Sequence, residues 1–312
     1  MRIVIVGLGS IGRRHLKVLK DIGGHQVVAL RSLKGTLKEK SGIQEFNTVE
    51  DALAFKPDGV IVANPTSLHV SGVLPFLEAG IKALIEKPIA HTAEEAEILR
   101  PYEHLIRVAY CMRFLPHSTY FREHLNLEDV YKLSFKRSFY LPKWHPYVDY
   151  RKEYTAQKAL GGGIIRTLSH EIDLAIFWLG LPKKFTGVMD KISPLEMDVD
   201  DYASLSLKMK NNARAHLEMD FFSPFNVNEG ELLNRDGKYH WNLKGLFFTD
   251  YQRTESEMVL KYDGESFNEI YYTQMYDFLN FIVNGISLNT SFDEGFSINK
   301  IISEVEKRSN FN

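Results

Sequence analysis

The stretch IVIVGLGSIGRRHLKVL, residues 3–19, passes from a β-branched run through a glycine-rich turn into a helical pattern. Ile3 to Val6 suit a strand buried on both faces of a parallel sheet. The glycines fall as G-x-G-x-x-G at Gly7, Gly9 and Gly12, and Ile11, Leu16, Leu19 and Ile22 follow with helical spacing. Between a strand and a helix, that pattern predicts a dinucleotide-binding turn. Gly7 permits the tight bend, Gly9 lets the backbone approach a pyrophosphate, and Gly12 lets helix and strand pack closely. Ser10 and Ile11, at the helix start, offer backbone N–H groups to the same phosphates.

Outward from there, strands and helices alternate. HQVVAL (25–30) predicts the second strand, and its end is where an acidic residue would hold the ribose 2′-hydroxyl of NAD. The residues present are Arg31 and Ser32, with Lys34 nearby, which suits a 2′-phosphate and predicts NADP(H) as the preferred cofactor, with NAD(H) second. Thr48 with Asp51, and Thr92 with Glu95, have the spacing of helix caps. DGVIVAN (58–64) and IKALIEKP (81–88) predict two further buried strands. Asn64, Pro65, Thr66 and His69 follow one and Glu86-Lys87-Pro88 the other, at the carboxyl ends where open α/β sheets bind ligands. From spacing alone, Lys87 reads equally as a solvated charge paired with Glu86 or as a positioned catalytic group.

The composition sets bounds on the rest. The chain has 312 residues, 44% hydrophobic and 25% charged, with a formal net charge of −2, which fits two globular domains. Near-neutral charge gives no electrostatic case for nucleic acid or an anionic membrane as partner. One cysteine, Cys111, excludes an internal disulfide and a multi-cysteine zinc site, and no metal centre is expected. The opening apolar run is too short for a signal segment or membrane span, so the expectation is a soluble, cytoplasmic protein.

The segments GLGSIGRRHL (7–16), NPTSLH (64–69), EKP (86–88) and GGGIIRTLSHEID (161–173) stand in the order found in the Gfo/Idh/MocA oxidoreductases, and the chain resembles that family. LPKWHPYVDYRKEY (141–154) resembles a subset linked to bacterial surface sugars. The resemblance implies a Rossmann domain followed by a domain with an open, mostly antiparallel sheet, with a boundary placed at 1–114 and 115–312. It implies hydride transfer between a nicotinamide and a hydroxyl or carbonyl carbon of a sugar or sugar derivative. It also implies association into a homodimer or homotetramer through the second sheet. Lys87 then contacts the reacting hydroxyl, His170 handles the proton, and Glu86 belongs with the cofactor-side motif. Two other activities occur on this fold: an NAD-dependent glycosidase with no net redox change, and a cofactor-sensing regulatory protein.

The chemistry is consistent with that assignment. Hydride removal from an alcohol carbon needs a base within reach of the hydroxyl proton, and a cation to stabilise the developing alkoxide. A helix spanning 164–179 would place Ile165, Leu168, Ile172, Ala175, Ile176 and Leu179 on one face. Arg166, His170 and Asp173 would share the opposite face, toward solvent or a cleft, with Asp173 orienting the histidine. Where the family commonly carries an aspartate shortly before the histidine, this chain has Arg166 and Thr167. Thr167 cannot act as an anionic base, and Arg166 suggests an acidic group on the substrate. Trp144, Arg151 and Tyr154 are candidate sugar contacts from the preceding loop. Further on, VYKLSFKRSF, DYASLSLKMK, ARAHLEMDFF and YHWNLK alternate as half-exposed strands, and two helical stretches close the chain.

Overall fold

The computed structural model describes residues 1–32, 42–262 and 266–309, so Lys34 lies outside the described residues. The chain divides into two compact units. The first comprises residues 1–111 and 268–299, the second 112–267 and 300–312.

The first unit opens with β1 (Arg2–Val6), α1 (Ser10–Ile22), β2 (Gln26–Leu30), β3 (Glu45–Phe46) and α2 (Val49–Ala54). It continues with β4 (Gly59–Val62), α3 (His69–Glu78), β5 (Lys82–Ile85), α4 (Ala93–Glu97) and β6 (Ile106–Val108). The second unit carries α5 (Pro116–His124), β7 (Val130–Tyr140), α6 (Leu141–Trp144), α7 (Ile164–Thr167) and α8 (His170–Leu179). Its remaining strands are β8 (Pro182–Asp190), β9 (Tyr202–Met209), β10 (Arg214–Asp220), β11 (Phe222–Asn234), β12 (Gly237–Asn242), β13 (Gly245–Asp250) and β14 (Glu257–Lys261). Then come α9 (Ser266–Asn284), β15 (Thr290–Ser291) and α10 (Phe292–Arg308).

In the first unit the strand order is β15-β6-β5-β4-β1-β2-β3. All neighbours are parallel except β15 on β6. The run β3-β2-β1-β4-β5-β6 is that of a doubly wound dinucleotide fold, with the order reversing between β1 and β4. Ile3, Val4 and Ile5 are fully buried, as a strand covered on both faces requires. Ile3 and Ile5 belong to a core that also takes in Leu16 and Leu19 of α1 and Met275 and Phe278 of α9. The predicted caps form: Thr48 Oγ1 accepts from the Asp51 N–H at 3.2 Å, and Thr92 Oγ1 from the Glu95 N–H at 3.1 Å.

The second unit is built on an eight-stranded sheet of order β14-β13-β12-β11-β7-β10-β9-β8. Every pairing is antiparallel except β10 with β7. Along β9 and β10, buried Ala203, Leu205, Leu207, Ala215 and Leu217 alternate with more exposed residues, so one face packs and the other is open. Asn212, at φ 69°, turns the chain between them.

Candidate functional site

In the first unit, three adjacent parallel strands end side by side. Val6 pairs with Val62 and Val62 with Ile85. The Ala63 N–H donates to Val6 O at 2.8 Å and the Glu86 N–H to Val62 O at 2.9 Å. The glycine turn, the Asn64 loop and the Glu86-Lys87-Pro88 turn therefore share one edge, beside the strand-order reversal where such sheets take ligands.

The glycine turn fits a dinucleotide. Gly7 has φ +90°, and a Cβ there would lie 2.8 Å from Asn64 N; a Cβ on Gly12 would run into Gly7 O. Beside Gly9 the space is open, and no side chain caps the α1 N-terminus there. A pyrophosphate at that end would meet N–H groups and the positive end of the helix dipole. The Asn64 Oδ1 is buried with no hydrogen-bond partner among the described residues. Thr66 is buried. His69 lies between two loops, its Nδ1 2.9 Å from Pro88 O and its Nε2 3.0 Å from Asn64 O. Burial pushes its pKa down, so the ring is neutral and donates through one nitrogen only.

Lys87 is half-buried and its peptide bond to Pro88 is cis. Glu86 is only 8% exposed, and its carboxylate is doubly engaged. Oε1 lies 2.8 Å from His15 Nε2, and Oε2 accepts from the Lys87 N–H at 3.2 Å. So the glutamate next to the lysine holds that residue's backbone and pairs with a histidine of α1. Cys111, also buried, has its thiol pushed up to about 12, chiefly by burial and secondarily by Glu86, and stays protonated.

At the end of β2, Arg31 is buried and its Nη1 lies 3.0 Å from both oxygens of Glu45, while Ser32 is exposed. The preference for NADP(H) rested on the lack of a carboxylate here. Glu45 brings one from β3, where it sits in register with Ala29 of β2. Nothing in the local sequence around Arg31 signals it.

In the second unit, the single helix predicted over 164–179 is two, α7 and α8, with Leu168 at φ −106° and ψ 30° between them. Two hydroxyls compete with helix bonding there: Thr167 Oγ1 donates to Gly163 O at 2.7 Å and Ser169 Oγ to Arg166 O at 3.1 Å. Of the two placements expected for the polar face, solvent or a cleft, open solvent is not found. Arg166 is 5% exposed, His170 9% and Asp173 0%, because nine of the ten α8 residues are buried. The charges persist inside by pairing. The Asp173 carboxylate receives Arg113 Nε at 2.9 Å and Nη2 at 2.7 Å, and the Arg113 guanidinium lies over the Phe177 ring. Asp173, expected to orient His170, thus has a buried ion pair as its first duty. Arg166, expected to meet an acidic substrate group, donates from Nη2 to Glu306 Oε2 at 2.6 Å within the chain.

Trp144 is 40% exposed and stacks on His145, and Tyr154 is 37% exposed. The Arg151 side chain is exposed but bonded to Asp149 and Glu196. Arg113, His15, Glu45 and Glu306, all missed in the sequence pattern, act through partners distant in the chain.

Comparison with known proteins settles the lineage. Residues 1–103 match the oxidoreductase family with an NAD-binding Rossmann fold, and residues 129–240 match the GFO/IDH/MocA C-terminal domain. The chain belongs to the Gfo/Idh/MocA oxidoreductase family. Its first unit is an NAD-binding Rossmann fold. It is 26% identical to the rhizopine catabolism protein MocA of Rhizobium meliloti, over 55% of each chain. It is 30% identical to the inositol 2-dehydrogenase/D-chiro-inositol 3-dehydrogenase of Shouchella clausii, over 57% of this chain and 53% of that one. The chain thus spans about half the length of these curated relatives. Its fold is similar to that of a UDP-N-acetylglucosamine 3-dehydrogenase from Acidithiobacillus ferrooxidans, with a TM-score of 0.80, 20% identity, and 99% and 97% of the two chains covered. Among the described residues, no helix is long and apolar enough to cross a membrane.

Proposed function

We propose that this family member is a dehydrogenase or reductase acting on a hydroxyl or carbonyl carbon of a sugar or sugar derivative. The observation that carries the reading is the shared edge of β1, β4 and β5: the turn with Lys87 follows β5, next to the Asn64 loop after β4, which is itself next to the glycine turn after β1. The bound nicotinamide supplies the hydride acceptor or donor. Lys87 holds the reacting oxygen and stabilises its negative charge, and His170, assigned through the family motif, takes or gives the proton. Glu86 fixes the lysine backbone. Trp144, Tyr154 and Arg151 are the sugar-contact candidates, and Thr167 contributes through its bond to Gly163 rather than as a base. Association of two or four copies through the open face of the eight-stranded sheet belongs to the same proposal, and light scattering over a range of concentrations tests it.

A screen of sugars, cyclitols and nucleotide sugars for nicotinamide oxidation or reduction tests the activity. Turnover with at least one supports it. Bound cofactor that never changes redox state would favour the sensor, or the glycosidase if a leaving group is released.

For the cofactor, the Arg31–Glu45 pair favours NAD(H). A buried guanidinium already neutralised by a carboxylate has little left for a 2′-phosphate. Calorimetric titration should show NADH binding more tightly than NADPH. Glu45→Gln should then improve NADPH affinity about tenfold, equal to ~1.4 kcal/mol. Tighter NADPH binding by the unaltered chain would overturn this choice and leave the dehydrogenase reading standing.

A further inference from the structure

The glycine run that leads toward His170 is held by an aspartate that arrives from elsewhere in the second unit. Gly163 has φ +108°, and its missing side chain leaves room for a carboxylate: a Cβ there would collide with Asp200 Oδ1. The other oxygen, Oδ2, accepts from the Ile165 N–H at 3.1 Å, and the Asp200 backbone oxygen accepts from the Ile164 N–H at 3.1 Å. One residue therefore satisfies two backbone donors at the start of α7 and fills the space beside the third glycine.

The contact is part of a longer clasp. In the same loop, Asp198 Oδ1 accepts from the Lys158 N–H at 2.7 Å, and Glu196 Oε2 accepts from Arg151 at 2.8 Å. Asp201 turns the other way, accepting from the Ile192 and Ser193 N–H groups at 2.8 and 3.0 Å. Asp198 and Asp200 thus fasten the backbone of residues 158–165 at its two ends.

Asp200 is the costly member. It is 2% exposed, and burial raises its pKa to about 6, against the lowering influence of the Ile165 N–H and of Arg166; Glu306, the partner of Arg166, acts to raise it. A carboxyl whose folded pKa exceeds its unfolded value gives most stability while protonated. Stability is lost as pH rises from the unfolded value toward about 6 and does not return above it. At neutral pH the anion is kept at a cost, although an amide could accept the same N–H for less. A charge retained at that price marks a group with a task beyond filling space.

We propose that Asp200 is the positioning residue of the glycine-run segment, its carboxylate fixing the Gly163–Ile165 turn and, through it, the start of α8 with His170. It brings an acidic group to a segment that lacks one of its own before the histidine. The catalytic half of this inference rests on the dehydrogenase reading.

The test uses the full chain with Asp200→Asn, and with Asp200→Ser as a second variant of smaller volume. Hydrogen exchange of a peptide spanning 163–170 should rise at least tenfold in Asp200→Ser, which removes the carboxylate that accepts from the Ile165 N–H, and by less in Asp200→Asn, whose amide oxygen can still accept, while NADH affinity stays within twofold in both. With an active sugar, kcat should fall at least tenfold in Asp200→Ser with KM within threefold, and any limb of the kcat–pH profile near pH 6 should disappear. Unchanged exchange in Asp200→Ser overturns the proposal outright. Raised exchange with unchanged kcat overturns its link to His170. If no sugar turns over, the dehydrogenase reading fails while exchange still decides the positioning role. If neither variant folds, exchange in the unaltered chain decides. After correction for intrinsic rates, protection of that peptide should differ several-fold between pH 7.5 and pH 5, and a flat response overturns the proposal.

Discussion

Replacing Lys87 with methionine should lower kcat by about a thousandfold or more, within the range expected when a charge-stabilising group at the reacting oxygen is lost. NADH affinity should stay within a few-fold. Methionine keeps most of the apolar stem and removes only the charge and its donors. The backbone N–H of residue 87 would still donate to Glu86, and Glu86 would still meet His15, so the turn after β5 keeps its supports. Stopped-flow turnover set beside calorimetric NADH binding separates the outcomes. Loss of cofactor binding along with kcat would mean that Lys87 supports the nucleotide site rather than the chemistry.

The second large effect is on stability. Arg113→Ala should destabilise the second unit by about 3–5 kcal/mol, the usual result of leaving one member of a buried ion pair without its partner. The Arg113 and Asp173 side chains are 2% and 0% exposed, so water cannot replace the missing guanidinium. Asp173→Ala should cost about as much for the same reason. The double variant Arg113→Met with Asp173→Leu should recover much of the loss, because an apolar pair of similar volume removes the desolvation penalty. Urea midpoints of the three variants measure this. Single variants within 1 kcal/mol of the unaltered chain would show that the pair contributes little, and a kcat defect without a stability defect in Asp173→Asn would return Asp173 to the service of His170.

Much of the first unit was legible because its signals are local. A β-branched run, a glycine turn and an amphipathic helix lie within twenty residues, and both threonine caps formed as their spacing predicted. The second sheet was half legible. β9, β10 and β12 alternate, and β7 does so only in part, whereas β11 is long, contains Pro224, and shifts register between Phe222 and Val227. β8 alternates only loosely, because Gly187 interrupts it and Lys183 and Lys184 stand side by side near its start. The site was legible in its motifs and illegible in its partnerships. Arg31 with Glu45, Arg113 with Asp173, Arg166 with Glu306 and Asp200 with Ile165 join residues 14 to 140 positions apart, and no window along the chain contains them. The helical wheel over 164–179 assumed one unbroken helix, and of the two surroundings it allowed for the polar face, solvent or a cleft, open solvent is not found. Two back-bonding hydroxyls end the first helix, and ion pairs let the charged face go inside.

The return of residues 268–299 to the first unit bears on how the chain comes to be folded at all. Met275, Phe278, Leu279 and Phe281 of α9 complete the core under β1 and α1, and β15 adds the last strand beside β6. On the ribosome, the nucleotide-binding half is therefore begun well before residues 268–299 emerge and cannot be finished until they do. In the meantime Ile3, Ile5 and their neighbours must wait with one side uncovered, the kind of exposed apolar surface that invites aggregation or a chaperone. A nascent chain stalled before α9 should be far more sensitive to protease in its first hundred residues than the released protein. The vulnerable moment of this fold lies in its synthesis, between the two halves of a single core.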